Sequence, residues 1–250
     1  MKRHIPNFLT LLNLFCGGIA VIYVVNNNFV VAALFVFAGI FFDFFDGFAA
    51  RKLNVQSEFG IQLDSLADMV TSGLIPGLIV YKLLAISTNT VDAIHMSSEW
   101  TETMYWSSVK INILPFLGLL ITLASAYRLA KFNIDEDQQD YFKGLPTPAN
   151  TLFIVSLPLI LEFQKSNLIE AILLNTWFLI GIALLSCYLL NSNLELFALK
   201  FKDWSFANNV FKYLLIIVSF ILLLTLKFIA IPIIIIFYIA LSIFKNLTTK

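Results

Sequence analysis

Long apolar runs, broken by short polar stretches, dominate this chain from end to end. A helix that crosses a bilayer needs about 20 mostly apolar residues. Eight runs approach that length, near residues 8–25, 29–50, 60–84, 111–131, 148–163, 168–190, 211–226 and 228–246. The fifth and seventh are short for complete spans. The pattern predicts an all-α polytopic membrane bundle of about eight transmembrane helices, with no internal repeat and no low-complexity tract. Three polar stretches interrupt it: 87–108 with Asp92, His95, Glu99 and Glu102; 133–147 with Asp135, Glu136, Asp137 and Asp140; and 191–209. Both histidines, His4 and His95, carry no evident chemistry, and the acid run 135–140 reads as a solvated loop.

The basic start, Met1-Lys2-Arg3-His4, followed by an apolar run resembles a signal peptide. Many further apolar segments follow, and Thr10 and Asn13 interrupt the run, so a first transmembrane helix is the better reading. With the N-terminus in the cytoplasm, Lys2, Arg3, Arg51, Lys52, Arg128, Lys131, Lys143, Lys200, Lys202, Lys212, Lys245 and Lys250 fall inside. Lys82, Lys110, Lys165 and Lys227 fall outside. Twelve of the 16 basic residues then share one side, the bias that sets membrane orientation.

Composition agrees. Hydrophobic residues make up 59% of the chain and charged residues 13%, against roughly a quarter charged in soluble domains. With a mean hydropathy of +0.86, little is left to cover a water-facing surface. The formal net charge is zero, which gives no reason to expect a nucleic-acid partner. Cys16 and Cys187 lie in apolar stretches and read as small buried hydrophobes, neither a disulfide nor a metal pair.

Against this background four carboxylates stand out. The second run ends Asp43-Phe44-Phe45-Asp46-Gly47-Phe48-Ala49-Ala50-Arg51, and the third begins Gly60-Ile61-Gln62-Leu63-Asp64-Ser65-Leu66-Ala67-Asp68. At about 100° per helical residue, Asp43, Asp46, Gly47 and Ala50 share one stripe, and Gly60, Asp64 and Asp68 share another. A short loop makes the two helices antiparallel neighbours, so both stripes can face one small volume. Carboxylates inside a membrane are costly unless compensated, and hard oxygen ligands suit Mg²⁺ or Mn²⁺. Two such ions could bridge phosphate oxygens and neutralise a leaving phosphate. Gly47, Ala50 and Gly60 leave room for a nucleotide, and Arg51 is placed to meet a phosphate with a fork of donors. An isolated Asp at a helix end is ordinarily interfacial, and an isolated Gly or Ala ordinarily marks helix packing. That explanation accounts for any one of these residues and not for all of them together.

The pattern Asp43-x2-Asp46-Gly47-x2-Ala50-Arg51-x8-Gly60-x3-Asp64-x3-Asp68 resembles the signature of the CDP-alcohol phosphotransferases at all eight positions. The resemblance implies that Asp43, Asp46 and Asp64 ligate metal and the CDP-lipid pyrophosphate. Asp68 would serve as general base on the acceptor hydroxyl and also touch metal, and the cytidine would pack near Gly47, Ala50 and Gly60. It further implies a six-helix core and a homodimer. On this basis residues 1–190 form the catalytic core, and 191–250 a loop with two further helices.

Three further segments bear on the substrates. Thr10 and Asn13 lie a turn apart on the first run, within reach of a nucleotide or of another helix. The opening Ile5-Pro6-Asn7-Phe8-Leu9-Thr10-Leu11-Leu12-Asn13 is similar to the family's usual start, which assigns Asn13 to CDP-lipid binding. Arg128 and Lys131 end the fourth run. Such residues usually anchor a helix end, but Arg128 sits a turn deeper on nearly the same face, where the pair could hold a phosphate or an acceptor carboxylate. Tyr127-Arg128-Leu129-Ala130-Lys131-Phe132-Asn133, Gly144-Leu145-Pro146-Thr147-Pro148-Ala149 and Leu63-Asp64-Ser65-Leu66-Ala67-Asp68 resemble the phosphatidylserine synthase branch. Two positions depart from it: Lys131 where arginine is common, and Thr71-Ser72-Gly73 in place of Ser-Phe-Gly.

The resemblance therefore implies transfer of a phosphatidyl group from CDP-diacylglycerol to L-serine, with release of CMP. The enzyme would be a bacterial cytoplasmic-membrane protein whose site faces the cytoplasm. Glycerol 3-phosphate or inositol phosphate as acceptor is the nearest alternative. A divalent-cation transporter is a rival of another class, since intramembrane acids also mark ion pathways.

Overall fold

The computed structural model describes residues 4–88, 112–134, 141–197 and 209–249. The expected residues Asp92, His95, Glu99, Glu102, Asp135, Glu136, Asp137 and Asp140 lie outside them. The fold is all-α, an apolar helical bundle of a polytopic membrane protein. Helix α1 is His4–Val25 and α2 is Phe29–Lys52. The turn between them is built from asparagines: Asn27 takes a left-handed φ of 58°, and Asn28 Oδ1 caps α2 by accepting from Val31 N at 3.2 Å. Helix α3, Glu58–Ser87, opens with Ser57 Oγ accepting from Gly60 N at 3.1 Å. It is the central helix. Of its apolar window 72% is buried, against 28–33% in α1, α2 and α4.

Helix α4 is Leu114–Ile134, starting with a 3₁₀ turn, and α5 is Thr147–Phe163. The sixth apolar run is not one straight helix. It bends by 57° between α6, Asn167–Leu173, and α7, Thr176–Asn191. Asn175 at the break caps α7, its Oδ1 accepting from Trp177 N and Phe178 N. The last run, Val210–Leu247, is long enough for one helix, yet it folds into a hairpin of α8, Val210–Leu226, and α9, Ala230–Thr249. Lys227, at φ 50° and ψ −122°, reverses the chain. The Phe211 and Phe244 rings, 33 positions apart, meet at 6.3 Å, which only antiparallel helices allow. The helical elements thus match the eight predicted runs, with the sixth broken.

A two-stranded antiparallel ribbon was not expected. Strand β1, Tyr141–Lys143, pairs with β2, Glu195–Phe197, in the register Phe142↔Leu196. The hairpin holds it down: Tyr238 Oη donates to Phe197 O at 2.9 Å, and Asn246 Nδ2 to Glu195 O at 2.7 Å.

The main core gathers Ala20 and Val24 of α1, Ala32 and Val36 of α2, Ile79 and Leu83 of α3, Ile154 of α5 and Leu179 of α7. Close approach is set by small residues, as in membrane bundles generally. Gly118 of α4 lies against the backbone of Tyr81 and Gly77, where any Cβ would collide with Tyr81 N and Gly77 O. Large apolar side chains such as Phe8, Phe15, Phe44 and Trp177 point outward, as lipid-facing positions do. Cys16 and Cys187 are free. Lys82, counted on the outer side, is fully buried, and its Nζ donates to Val25 O at 2.7 Å. The Val25 carbonyl and the negative dipole end of α1 compensate the ammonium there.

Candidate active site

The four aspartates lie where α2 and α3 meet beside the start of α1. Asp43, Asp64 and Asp68 each bring a carboxylate oxygen within 4.8 Å of the others. Asp46, the fourth predicted ligand, is outside this triad. Its Oδ2 accepts a 2.6 Å hydrogen bond from Thr10 Oγ1, which also donates to Pro6 O. Asp68, 9% exposed, accepts from Asn13 Nδ2 at 3.2 Å. Asp64 Oδ1 is buried with no hydrogen-bond partner. An acceptor-only oxygen left bare beside two more carboxylates fits a divalent cation, since the donor set is hard oxygen throughout.

Beside the triad opens a cavity of about 310 Å³, the low end of the range for small-molecule sites. Six of the seven residues expected to bind a CDP-lipid line it: Asp46, Gly47, Ala50, Arg51, Gly60 and Asp64. The seventh, Asn13, does not. It is wholly buried behind Asp68, so its contact with the site runs through that carboxylate. Asn7, Gln56 and Ser57 also line the cavity and were not singled out from the sequence. Asn7 stands three residues before Thr10, a helical spacing that carries the signal. The cavity is shaped by small residues: a Cβ on Gly60 would press on Ser57 Oγ at 3.2 Å.

Immediately after Asp68 the helix widens into a π-helical segment, Met69–Leu74. Such segments loosen backbone pairing and need outside donors within a membrane. Ser72 O accepts from Thr151 Oγ1 at 2.9 Å, and Gly73 O accepts from Thr122 Oγ1 at 3.1 Å. Thr71 Oγ1 donates to Asn13 O at 3.3 Å. The segment that departs from the expected Ser-Phe-Gly is therefore tied to α1, α4 and α5. On the other side of Asp64, Ser65 Oγ donates to Asn133 Oδ1 at 3.1 Å and holds the end of α4 against α3.

Arg128 of α4 is 8% exposed. Its guanidinium stands 6.0 Å from the Phe132 ring centroid, its Nε is buried without a hydrogen-bond partner, and its charge and that of Asp68 attract each other. Arg128 and Lys131 line one small space together with Lys143 of β1, which the ribbon delivers. The expected cation pair is thus brought together, with a third cation beside it. Toward the other end of the bundle the helices meet through Ala20, Val24, Ala32, Val36, Ile79 and Leu83.

The family described as CDP-alcohol phosphatidyltransferase matches residues 3–189. The CDP-diacylglycerol–serine O-phosphatidyltransferase of Bacillus subtilis is 35% identical over 174 residues, covering 68% of this chain and 81% of that protein. The protein of the same name from Helicobacter pylori strain 26695 is 29% identical over 186 residues, covering 72% and 69%. That from Methanocaldococcus jannaschii is 28% identical over 170 residues, covering 68% of each.

Proposed function

The chain belongs to the CDP-alcohol phosphatidyltransferase family, and we propose that it transfers the phosphatidyl group of CDP-diacylglycerol to the hydroxyl of L-serine. The products are phosphatidylserine and CMP. The observation that carries this reading is the carboxylate triad Asp43, Asp64 and Asp68 opening on a cavity lined by Gly47, Ala50, Arg51 and Gly60. The names of its relatives supply the acceptor.

In this reading the cytidine diphosphate end of the lipid enters the cavity, with Arg51 on its phosphates and the small residues clearing its path. Mg²⁺ or Mn²⁺, as two ions held by Asp43, Asp46, Asp64 and Asp68, would neutralise the pyrophosphate and stabilise the CMP leaving group. Asp46 meets the lipid from the Thr10 side. Asp68 accepts the serine hydroxyl proton, held in place by Asn13. The serine oxygen then bonds to the phosphorus that carries diacylglycerol, and the bond from that phosphorus to the bridging oxygen breaks, releasing CMP. Arg128, with Lys131 beside it, takes the acceptor carboxylate as a planar fork. Glycerol 3-phosphate and inositol phosphate, which bring a phosphate of their own, are the acceptors to compare.

We also take residues 1–190 as the catalytic core and 191–250 as a loop with two added helices. The protein would act as a homodimer in a bacterial cytoplasmic membrane, with the site on the cytoplasmic face. Twelve of 16 basic residues support that orientation. The test is CMP release from CDP-diacylglycerol by purified protein, with L-serine, glycerol 3-phosphate and inositol phosphate compared at equal concentration. Serine should drive release most effectively. Faster release with either phosphorylated acceptor would overturn the assignment of serine and leave the family chemistry in place.

A further inference from the structure

A groove larger than the aspartate-side cavity lies between α5 and the C-terminal hairpin. It holds about 570 Å³, within the range of small-molecule sites. Its walls are the start of α5, with Pro148 and Leu152, and the hairpin, with Leu215 and Leu223 of α8 and Ile235 of α9. Of the residues that line it, only Ser219 and Tyr238 carry a polar side chain, and the Tyr238 hydroxyl already donates to Phe197 O at 2.9 Å. From Leu215 to Leu223 the groove runs about 12 Å along α8. That is close to one leaflet, roughly half of a hydrocarbon core about 30 Å thick. Ile216 and Phe220 stay exposed on its rim, so it opens sideways to the bilayer. Its mouth adjoins the cations. Consecutive strand residues point to opposite faces, and β1 sends Lys143 to the space shared with Arg128 and Lys131, and Phe142 to the groove. The Phe142 ring lies 6.5 Å from that of Phe132, which stands 6.0 Å from the Arg128 guanidinium. On α5, between Pro148 and Leu152, Thr151 donates to Ser72 O, one turn past Asp68.

We propose that this groove holds one acyl chain of the phosphatidyl group while CDP-diacylglycerol is converted. The proposal rests on the CDP-lipid reading and brings the C-terminal hairpin into the substrate site. The phosphatidyl group has opposed needs, because its phosphorus must sit with the aspartates while its chains stay in the bilayer. A groove that starts beside Arg128 and Lys143 and descends about one leaflet meets both, with cations at the anionic end and an apolar wall beyond them. The family match ends at residue 189, and the far wall, from Leu215 to Tyr238, lies outside it. Bulk lipid is as apolar as the groove, so entering it brings little hydrophobic gain. What the groove supplies is direction. A chain held between α5 and the hairpin fixes the glycerol end, and with it the way the reacting phosphorus faces. Small errors in such placement cost rate steeply.

The experiment compares CMP release by the full chain and its Ser219→Trp variant in lipid nanodiscs, with CDP-dipalmitoylglycerol or CDP-dibutanoylglycerol as donor. The indole, about 6 Å along α8 from Leu215, blocks the groove halfway, past the reach of a four-carbon chain. For the long-chain donor kcat/KM should fall roughly 10- to 100-fold, the scale of misplacing a reacting atom by about 1 Å. For the short-chain donor kcat/KM should stay within about threefold, and so should the serine KM with either donor. Equal loss with both donors overturns the proposal, because a distorted fold does not read chain length. Unchanged use of the long-chain donor overturns it too. If the variant does not fold, or wild type does not turn over the short-chain donor, photolabelling of wild type decides. The probe is CDP-diacylglycerol with a diazirine at mid-chain. Label on 215–223 or 234–238 that excess CDP-diacylglycerol removes and excess phosphatidylcholine leaves in place supports the proposal. Label there that excess CDP-diacylglycerol leaves, or that phosphatidylcholine removes as well, marks bulk lipid and overturns it. So does a hairpin without label, as a second copy seated on it would give. Wild-type protein that releases no CMP from either donor would instead overturn the CDP-lipid reading, and this groove's role with it.

Discussion

Replacing Asn13 by leucine separates two assignments of that residue. The sequence resemblance places it on the CDP-lipid, whereas its side chain lies wholly buried behind Asp68 and donates to Asp68 Oδ1 at 3.2 Å. Leucine keeps the branched shape in a place where a Cβ on Gly39 would already lie 2.9 Å from Asn13 Oδ1, and it removes the donor. Asn13 Oδ1 has no partner to lose, so the change is confined to the Asp68 contact. A hydrogen bond to a charged group is worth about 1.5–3 kcal/mol. If that bond holds Asp68 in its reacting position, its loss lowers kcat by about 10- to 150-fold, at 1.4 kcal/mol per decade. The KM for CDP-diacylglycerol should move by less than about threefold, since Asn13 does not line the cavity. The assay is CMP release at saturating serine with the CDP-lipid varied. A raised CDP-lipid KM at unchanged kcat would refute the positioning argument and restore Asn13 as a lipid ligand.

Three further outcomes are expected. EDTA should abolish CMP release and Mg²⁺ or Mn²⁺ restore it, because the triad holds three hard carboxylates and no cationic side chain; full activity with metal shown to be absent would remove the metal from the reading. Asp68→Asn should lower turnover by roughly 10²–10⁴, the usual contribution of general-base catalysis, while CDP-lipid binding measured by equilibrium dialysis is largely kept; near-normal turnover would take Asp68 out of that role. Gly118→Ala should lower the midpoint of thermal unfolding in detergent, because the new Cβ meets the backbone of Tyr81 and Gly77; an unchanged midpoint would mean that α3 and α4 separate at little cost.

The helices were legible because a bilayer fixes their length, and polar stretches such as 133–147 and 191–209 separate them. The break in the sixth run was harder to read. Asn175 is one polar residue in a long apolar stretch, and only the cap it forms on Trp177 N and Phe178 N reveals it. The ribbon was not legible at all, since three-residue strands more than 50 positions apart have no local pattern. The charge count placed Lys82 on the outer side, and sequence cannot tell that α1 ends beside it and buries it. The aspartates were legible from spacing, because positions three and four apart share a helix face. Which of them converge was not, because that depends on side-chain rotamers. Thr10 draws the Asp46 carboxylate toward itself, leaving the other three as the closest group.

How the acids are held bears on what they can do. Among the described residues none of the four aspartates forms an ion pair. The groups that orient them are neutral: the Thr10 hydroxyl on Asp46 and the Asn13 amide on Asp68. Neutral donors fix direction without cancelling charge, so the cluster keeps its negative potential for cations that arrive from outside. The two arginines stand apart from one another, Arg51 on the large cavity and Arg128 on the small space at α4 and α7. Asp64 lines the first and Asp68 lies within the field of the second. One turn of α3, about 6 Å, separates these two residues. A nucleotide held on the Arg51 side and an acceptor held on the Arg128 side would therefore meet across a single helical turn. That turn is stiffened just beyond Asp68 by hydroxyls from α4 and α5. The division of the site into two approaches follows from this placement. On this reading a change at Arg128 should move the acceptor, while a change at Gly60 or Arg51 should move the CDP-lipid.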